Sequence, residues 1–288
     1  MTFEAIGTTW QIDIYTPLTS EKEAEVFDLI KKRIDEFDKV YSRFREDSVV
    51  TQMSKMTGEY ILPEDSKLLF EIYFDLYKKT GGLFTPLVGD LLSDAGYDAK
   101  YSLEQKSDLK TPDELKEVLE FNYPKLLIKK PALLDFGAGG KGYLVDLVAK
   151  VLEENNISKY CIDAGGDILH KNNESLRVGL ENPNDFSQVI GVSNLYNRSL
   201  CGSAGSRRKW EDFNHIMNPK TLESVKDIVA VWVVADTALL ADSLATCLFF
   251  VSPDDLVTEY NFECVILSNN GKCFVSKGFD GDVFGING

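Results

Sequence analysis

The feature that most constrains this chain is a glycine-dense turn, Asp135-Phe136-Gly137-Ala138-Gly139-Gly140-Lys141-Gly142, set between an apolar stretch and an amphipathic helix. Four glycines and a lysine exceed what a plain strand-to-helix turn needs, although such a turn is the simplest alternative. Glycine backbone lets N–H groups approach phosphate oxygens, a helix N-terminus favours an anion, and Lys141 adds a positive charge. Gly137, Gly139 and Gly142 satisfy G-x-G-x-x-G, and Asp163 lies about where a ribose-binding acid stands in a dinucleotide fold. The Walker pattern fails, because Lys141 is followed by Gly142 and position 135 is Asp. Two features oppose a nicotinamide-type oxidoreductase: Asp135 falls beside the pyrophosphate, and more than a hundred residues precede the turn.

Around this turn the elements read as α+β. Residues 5–15 alternate as a strand, 20–40 carry apolar residues at helical spacing, and a second helix runs from about Glu64 to Lys79 and stops at Gly81-Gly82. Residues 94–120 are polar, with loops and a short helix after Thr111-Pro112. Residues 125–136 read as one or two strands with a turn at Lys129-Lys130-Pro131, and 143–154 as a strong amphipathic helix. A strand over 160–168 is broken by Gly165-Gly166, and short antiparallel strands follow at 177–180, 188–195 and 199–202. Residues 228–235 form a buried strand, Asp236 or Thr237 caps a helix to Phe250, and 264–267 with 273–275 make a final hairpin across Asn269-Asn270-Gly271. Strands cluster outside the middle of the chain, which argues against a doubly wound sheet. No repeat or linker divides the chain, so we expect a single domain over 1–288, or two closely packed subdomains.

Charge narrows the partners. With 31 Lys+Arg against 46 Asp+Glu, the formal charge is −15, which opposes binding to nucleic acid or anionic lipid; an anionic small ligand then needs a local positive pocket. The first fifteen residues pattern as a strand rather than a signal peptide, so the expected location is cytoplasmic. No apolar run is long enough for a membrane span. The five cysteines are odd in number and widely spaced, which predicts buried thiols rather than disulfides or a zinc site.

Within the apolar helix after residue 237, Asp242 and Thr246 stand four apart on one face. A carboxylate there must be paired. Either a hard cation such as magnesium takes both oxygens, or Asp242 bonds a backbone N–H and Thr246 bonds back to the Asp242 carbonyl. Spacing alone leaves both open. Arg207-Arg208-Lys209 is a candidate phosphate pocket or a solvated turn. His215 alone reads more readily as structural, and His170 as a surface residue.

Taken in order, these segments resemble the ApbE family, the FAD:protein FMN transferases. Ala5-Ile6-Gly7-Thr8-Thr9-Trp10 is similar to its M-G-T strand, residues 41–48 (YSRFREDS) to S-R-F/Y-x-x-x-S, and Gly81-Gly82-Leu83-Phe84-Thr85-Pro86 to G-G-A-F-D-P. Residues 134–143 (LDFGAGGKGY) resemble L-D-L-G-A-I-A-K-G-Y, and Gly165-Gly166-Asp167-Ile168 resembles G-G-D-I. His215-Ile216-x-Asn218-Pro219-x-Thr221 and Ala241-Asp242-x-Leu244-Ala245-Thr246 resemble H-I-x-D/N-P-x-T and A-D-A-L-A-T. Seven motifs in the right order span most of the chain.

The resemblance implies an ApbE-like, T-fold-like α+β fold of mixed and antiparallel sheets with packed helices. It also implies an enzyme that cleaves FAD and attaches FMN through a phosphoester to a threonine of an acceptor flavoprotein, releasing AMP. Asp242, Thr246 and the Ala138 carbonyl are the implied Mg²⁺ ligands, which favours the metal reading of that helix. Phe44 is implied to stack on the flavin. Ile6, Leu83, Phe84 and Thr85 are implied to line its pocket, Asp135 and Lys141 to contact FAD, and Ile216 to pack nearby. His215 is similar to the family's catalytic histidine and is the expected base, with Asp163 and Asp167 as lesser alternatives. Ile6, Thr85, the Gly139-Gly140 pair and Leu222 depart from the family pattern, the first three within the flavin pocket. Hydrolysis of FAD to FMN and AMP, and flavin binding without turnover, are the competing functions.

Overall fold

The computed structural model describes residues 1–106 and 108–284. The chain begins β1 (Thr2–Ala5), β2 (Thr8–Ile14), α1 (Ser20–Tyr41), α2 (Val49–Met53), β3 (Gly58–Ile61) and α3 (Ser66–Lys79). It continues α4 (Gly89–Asp94), α5 (Leu115–Val118), β4 (Leu119–Asn122), β5 (Lys125–Ile128), α6 (Gly140–Glu154), β6 (Tyr160–Ala164) and β7 (Asp167–Lys171). Then come β8 (Leu176–Asn182), β9 (Asp185–Leu195), β10 (Ser199–Ala204), β11 (Lys209–Trp210) and β12 (Phe213–Asn214). It closes with β13 (Ile228–Ala235), α7 (Ala238–Cys247), β14 (Phe262–Ser268), β15 (Cys273–Val275) and β16 (Gly281–Val283).

Eight strands form the main sheet in the order β1-β2-β6-β7-β10-β13-β14-β15, each neighbouring pair antiparallel. Strand β13 explains the layering. Its side chains alternate between two apolar clusters: Val231, Val233 and Ala235 face the helices, while Ala230, Trp232 and Val234 face the small sheet β16-β9-β8. A strand covered on both faces reads as an unbroken apolar run, which is why residues 228–235 were legible as buried. Helices α1, α3, α6 and α7 supply the larger cluster through Val26, Ile30, Tyr73, Leu144 and Leu244, among others. A third cluster joins α4 to the β11–β12 hairpin through Leu91, Tyr97, Trp210 and Met217.

Several expectations change. The first strand is a hairpin: Ala5 pairs with Thr8 across Ile6-Gly7, both at positive φ (43° and 75°), the backbone of a two-residue type I′ turn. The strand expected over 125–136 ends at Ile128, and residues 132–136 run outside any sheet, with the Asp135 N–H donating to the Pro86 carbonyl. Helix α6 starts three residues earlier than its apolar pattern suggested. The dinucleotide-fold alternative fails, because β6, which follows α6, pairs antiparallel with both β2 and β7. The β14–β15 hairpin is not the last element, since β16 returns to pair with β9. His170 is buried within β7, its Nε2 2.9 Å from the Glu174 carbonyl and its ring edge-on to Tyr15. All five cysteines are free thiols, four of them buried. Among the described residues, no helix is long and apolar enough to cross a membrane.

Candidate functional site

Helices α6 and α7 build the centre of the site by packing unusually close. A Cβ on Gly142 would sit 2.2 Å from the Ala238 carbonyl oxygen and 2.6 Å from Asp242 Cβ, and one on Gly139 would sit 2.3 Å from Ser243 Oγ. Gly139 and Gly142 therefore serve contact between helices. The glycines of the turn do not form a free phosphate cradle: the Gly137 N–H donates to Asp135 Oδ1 (2.7 Å), the Gly139 and Gly140 N–H groups to the Phe136 carbonyl, and the Gly142 N–H to Asp242 Oδ2 (2.9 Å). What the turn offers to its surroundings is the Ala138 backbone and the Lys141 side chain.

One turn further along α6, Asp146 accepts from the Ala238 N–H (2.9 Å) and the Leu239 N–H (2.8 Å), satisfying the first amides of α7 from a neighbouring helix. Thr237 caps the same end by accepting from the Leu240 N–H at 3.2 Å. Gly142 and Asp146, four residues apart, thus lock the helix that carries Asp242 and Thr246. Sequence reasoning missed Asp146, although it falls among apolar neighbours of α6 and the rule of pairing applied to Asp242 applies to it too. Burial raises its carboxyl to about 6 against the pull of the two amides.

These elements border a cavity of about 670 Å³. Phe44, Leu83, Phe84 and Thr85 line it together with Asp135, Ala138 and Lys141, and His215, Ile216, Asp242 and Thr246 complete that wall. Ile6 is the exception among the expected residues. The type I′ turn sends it to a separate shallow depression shared with Ile34, Asp35 and Asp38 of α1, while Gly7 and Thr8 reach the cavity instead. Arg207 and Arg208 line the cavity as exposed side chains at its mouth, and Lys209 does not. Arg207 pairs with Glu181 at 2.7 Å. Asp163 lines the cavity too, but its Oδ1 holds the Gly166 N–H of the β6–β7 turn at 2.8 Å. Asp167 is fully buried and ion-paired to Lys141.

Arg43 is a second residue that the sequence reading passed over. It is buried, its Nε pairs with Asp135, and its Nη1 donates to the Tyr97 carbonyl at 2.7 Å. Its guanidinium lies 4.2 Å from the centroid of the Phe44 ring, which also stacks on Tyr101 at 5.2 Å and 11°. Arg43 thereby fixes both the acid and the aromatic on the cavity wall. Its place before Phe44 was visible, but its partners lie 54 and 92 residues away.

The electrostatics are uneven. Burial, and then the negative charge of Asp167, push the Asp242 carboxyl well above the usual carboxylate range, despite Lys141 and the Gly142 N–H. Burial also works against the Lys141 ammonium, but the two carboxylates outweigh it and its pKa is raised. His215 is pushed down to about 4 by burial and then by the Arg208 charge, so its imidazole is neutral at physiological pH. Its backbone N–H donates to the Arg208 carbonyl at 3.2 Å, and Nδ1 is buried without a hydrogen-bond partner among the described residues.

A metal fits this chemistry. Among the described residues no three His, Cys, Asp or Glu side chains converge, which excludes a dense acidic cage, but one buried carboxylate, one hydroxyl and one carbonyl suffice for a cation that keeps water and substrate phosphate in its shell. Among the described residues Asp242 accepts a hydrogen bond only at Oδ2, from a neutral amide, and its raised pKa marks a charge that wants a cation.

The sequence profile described as the ApbE family matches residues 6–266. An FAD:protein FMN transferase of Buchnera aphidicola subsp. Schizaphis graminum is 27% identical over 276 residues, covering 86% of this chain and 78% of that protein. The FAD:protein FMN transferase of Escherichia coli K12 is 24% identical over 296 residues, covering 94% and 84%. Among solved structures, the flavin transferase ApbE from Vibrio cholerae matches with a TM-score of 0.80 at 20% identity, over 97% of each chain. That likeness carries the fold.

Proposed function

The chain belongs to the ApbE family, and from that premise we propose that it is an FAD:protein FMN transferase, which moves FMN from FAD to a threonine hydroxyl of an acceptor protein and releases AMP. The observation that carries this reading is the convergence of Ala138, Lys141, His215, Asp242 and Thr246 on one cavity that also presents Phe44. In the reaction the threonine oxygen bonds to the FMN phosphorus, the bond from that phosphorus to the oxygen bridging it to AMP breaks, and the electron pair leaves with AMP.

Asp242, Thr246 and the Ala138 carbonyl are the candidate ligands of Mg²⁺, which when bound supplies positive charge to the diphosphate oxygens. Lys141 contributes a second charge to the same oxygens, fixed in place before substrate arrives. His215 is the candidate base: neutral and on the cavity wall, it accepts the proton of the attacking hydroxyl. Arg208 stands at the mouth for the anionic substrate, and Phe44 offers an aromatic surface to the flavin. Water in place of threonine turns the same steps into FAD hydrolysis.

The test is incubation with FAD, Mg²⁺ and a candidate acceptor domain. We expect AMP release, abolished by EDTA, together with a gain of the FMN mass on the acceptor. FMN and AMP without that gain would make the protein a pyrophosphatase, and no AMP with any divalent metal would leave a flavin binder.

A further inference from the structure

The Lys141 ammonium is paired with one carboxylate and lies in the field of a second, Asp242, and that arrangement bears on the metal. Its partner is Asp167, whose side chain is 1% exposed against 22% for Lys141. Beyond that ion pair, neither Asp167 oxygen has a hydrogen-bond partner among the described residues, so Lys141 is what answers this fully buried acid. Asp167 reaches this place because the Gly165-Gly166 turn opens β7 at this residue, and pairing with Cys201 of β10 fixes it in the sheet.

The same segment of α6 also touches the second acid. Lys141 precedes Gly142, whose N–H holds Asp242 Oδ2, and both carboxylates lie in the field of the ammonium. A half-buried ammonium that loses one carboxylate is drawn to the other, because in a partly desolvated site that attraction outweighs a side-chain rotation. Were Lys141 to pair with Asp242, the site would be neutralised and a divalent cation repelled.

We propose that Asp167 is a positioning residue for the metal site: by holding the Lys141 ammonium, it keeps that cation off Asp242 and leaves the Asp242 carboxylate open to a divalent metal. The role is distinct from ligation, since Asp167 does not line the cavity, and distinct from proton transfer, since its charge is committed to Lys141. It rests on the metal reading given above for Asp242 and Thr246.

The test measures Mn²⁺ binding to the FAD-free protein, by electron paramagnetic resonance of the free ion and by calorimetry, so that turnover is not the readout. Asp167→Asn should weaken Mn²⁺ binding by about tenfold or more, the scale set by one unscreened charge a few ångströms from the ion. Lys141→Gln alone should bind Mn²⁺ at least as tightly as wild type, because it removes a cation from the field of Asp242. In a Lys141→Gln background, adding Asp167→Asn should change nothing further, since no ammonium remains to be redirected. If Asp167→Asn still weakens binding there, Asp167 acts on the ion directly and the proposal is wrong. Unchanged affinity in Asp167→Asn alone, with a native circular dichroism spectrum, also overturns it. If Asp167→Asn does not fold, Asp167→Glu, which keeps the charge, must bind Mn²⁺ within about threefold of wild type, and a larger loss counts against the proposal. A wild-type protein that binds no Mn²⁺ would refute the metal reading, whereas wild-type binding with an unaltered variant refutes this inference alone.

Discussion

His215 is neutral in the fold at a pH where a free imidazole is charged, and that difference is a measurable part of the protein's stability. Its pKa falls from the ordinary 6.5 to about 4 through burial and the Arg208 charge. The unfolded chain therefore binds a proton that the folded chain refuses between those values, and stability must rise with pH across that window. The contribution is complete above about pH 6.5 and is lost as pH falls toward 4. The full shift corresponds to about 3 kcal/mol, of which about 2 kcal/mol is lost by pH 5. His215→Gln removes the titration while keeping a polar group of similar reach. The expected result is that the stability difference between wild type and variant, from urea unfolding, shifts by about 2 kcal/mol against wild type between pH 7.5 and pH 5. Other titrating groups, Asp242 included, are common to both proteins and drop out. The chain has only two histidines, so an imidazole NMR titration assigned with the same variant reads the pKa directly. A midpoint near 6.5, or a stability difference that ignores pH, would refute the burial argument and weaken the case for His215 as a neutral base.

Three further outcomes follow from the same geometry. Gly142→Ala places a Cβ 2.2 Å from a backbone carbonyl and should lower stability by roughly 3 kcal/mol, while Gly140→Ala, with its nearest neighbour at 3.5 Å, should stay within about 1 kcal/mol of wild type in thermal unfolding. Asp242→Asn should abolish metal-dependent AMP release. The same variant, in EDTA at pH 8, should melt above wild type, because a carboxyl whose folded pKa is raised loses stability as pH rises and an amide does not. Arg208→Ala should raise KM for FAD by roughly fivefold in dilute buffer, and the ratio to wild type should shrink in 0.5 M salt if the exposed guanidinium acts through charge.

Much of this architecture was legible because its signals are local. Apolar spacing marked α1 and α3, the continuous run 228–235 marked β13, and Asp242 with Thr246 stood out as polar residues in an apolar helix. Pairing between distant segments was not legible. Nothing near Gly137–Gly142 announces that its amides serve Asp135, Phe136 and Asp242, or that its missing side chains make room for α7. The short elements α2, α4, β3 and β4 escaped because four to six residues carry too little periodicity to separate helix from strand. Ile6 misled for a related reason: a β-branched residue at φ 43° is rare, so an alternating pattern concealed a two-residue turn. Asp146 was missed although its logic was available, because a strongly amphipathic helix tolerates acids on its outer face and the pattern does not say which face an acid occupies.

A chain of charge −15 that handles an anionic diphosphate must settle its own acids first, and the cavity shows how. Asp135 is answered by Arg43, Glu181 by Arg207, Asp163 by the Gly166 amide, and the buried Asp167 by Lys141. Each pairing is short-ranged, so the acids are cancelled where they stand while the outer surface keeps its negative field. Two groups remain uncommitted. Among the described residues, Asp242 joins no ion pair and accepts one hydrogen bond, from an amide, and Arg208 joins no ion pair and faces the Tyr97 ring at 5.7 Å. An unanswered carboxylate deep in the cavity and an unanswered guanidinium at its mouth cannot satisfy one another across it, but a divalent cation and a diphosphate entering together satisfy both. This arrangement predicts that substrate and metal bind with positive coupling, each raising the affinity for the other by the same factor.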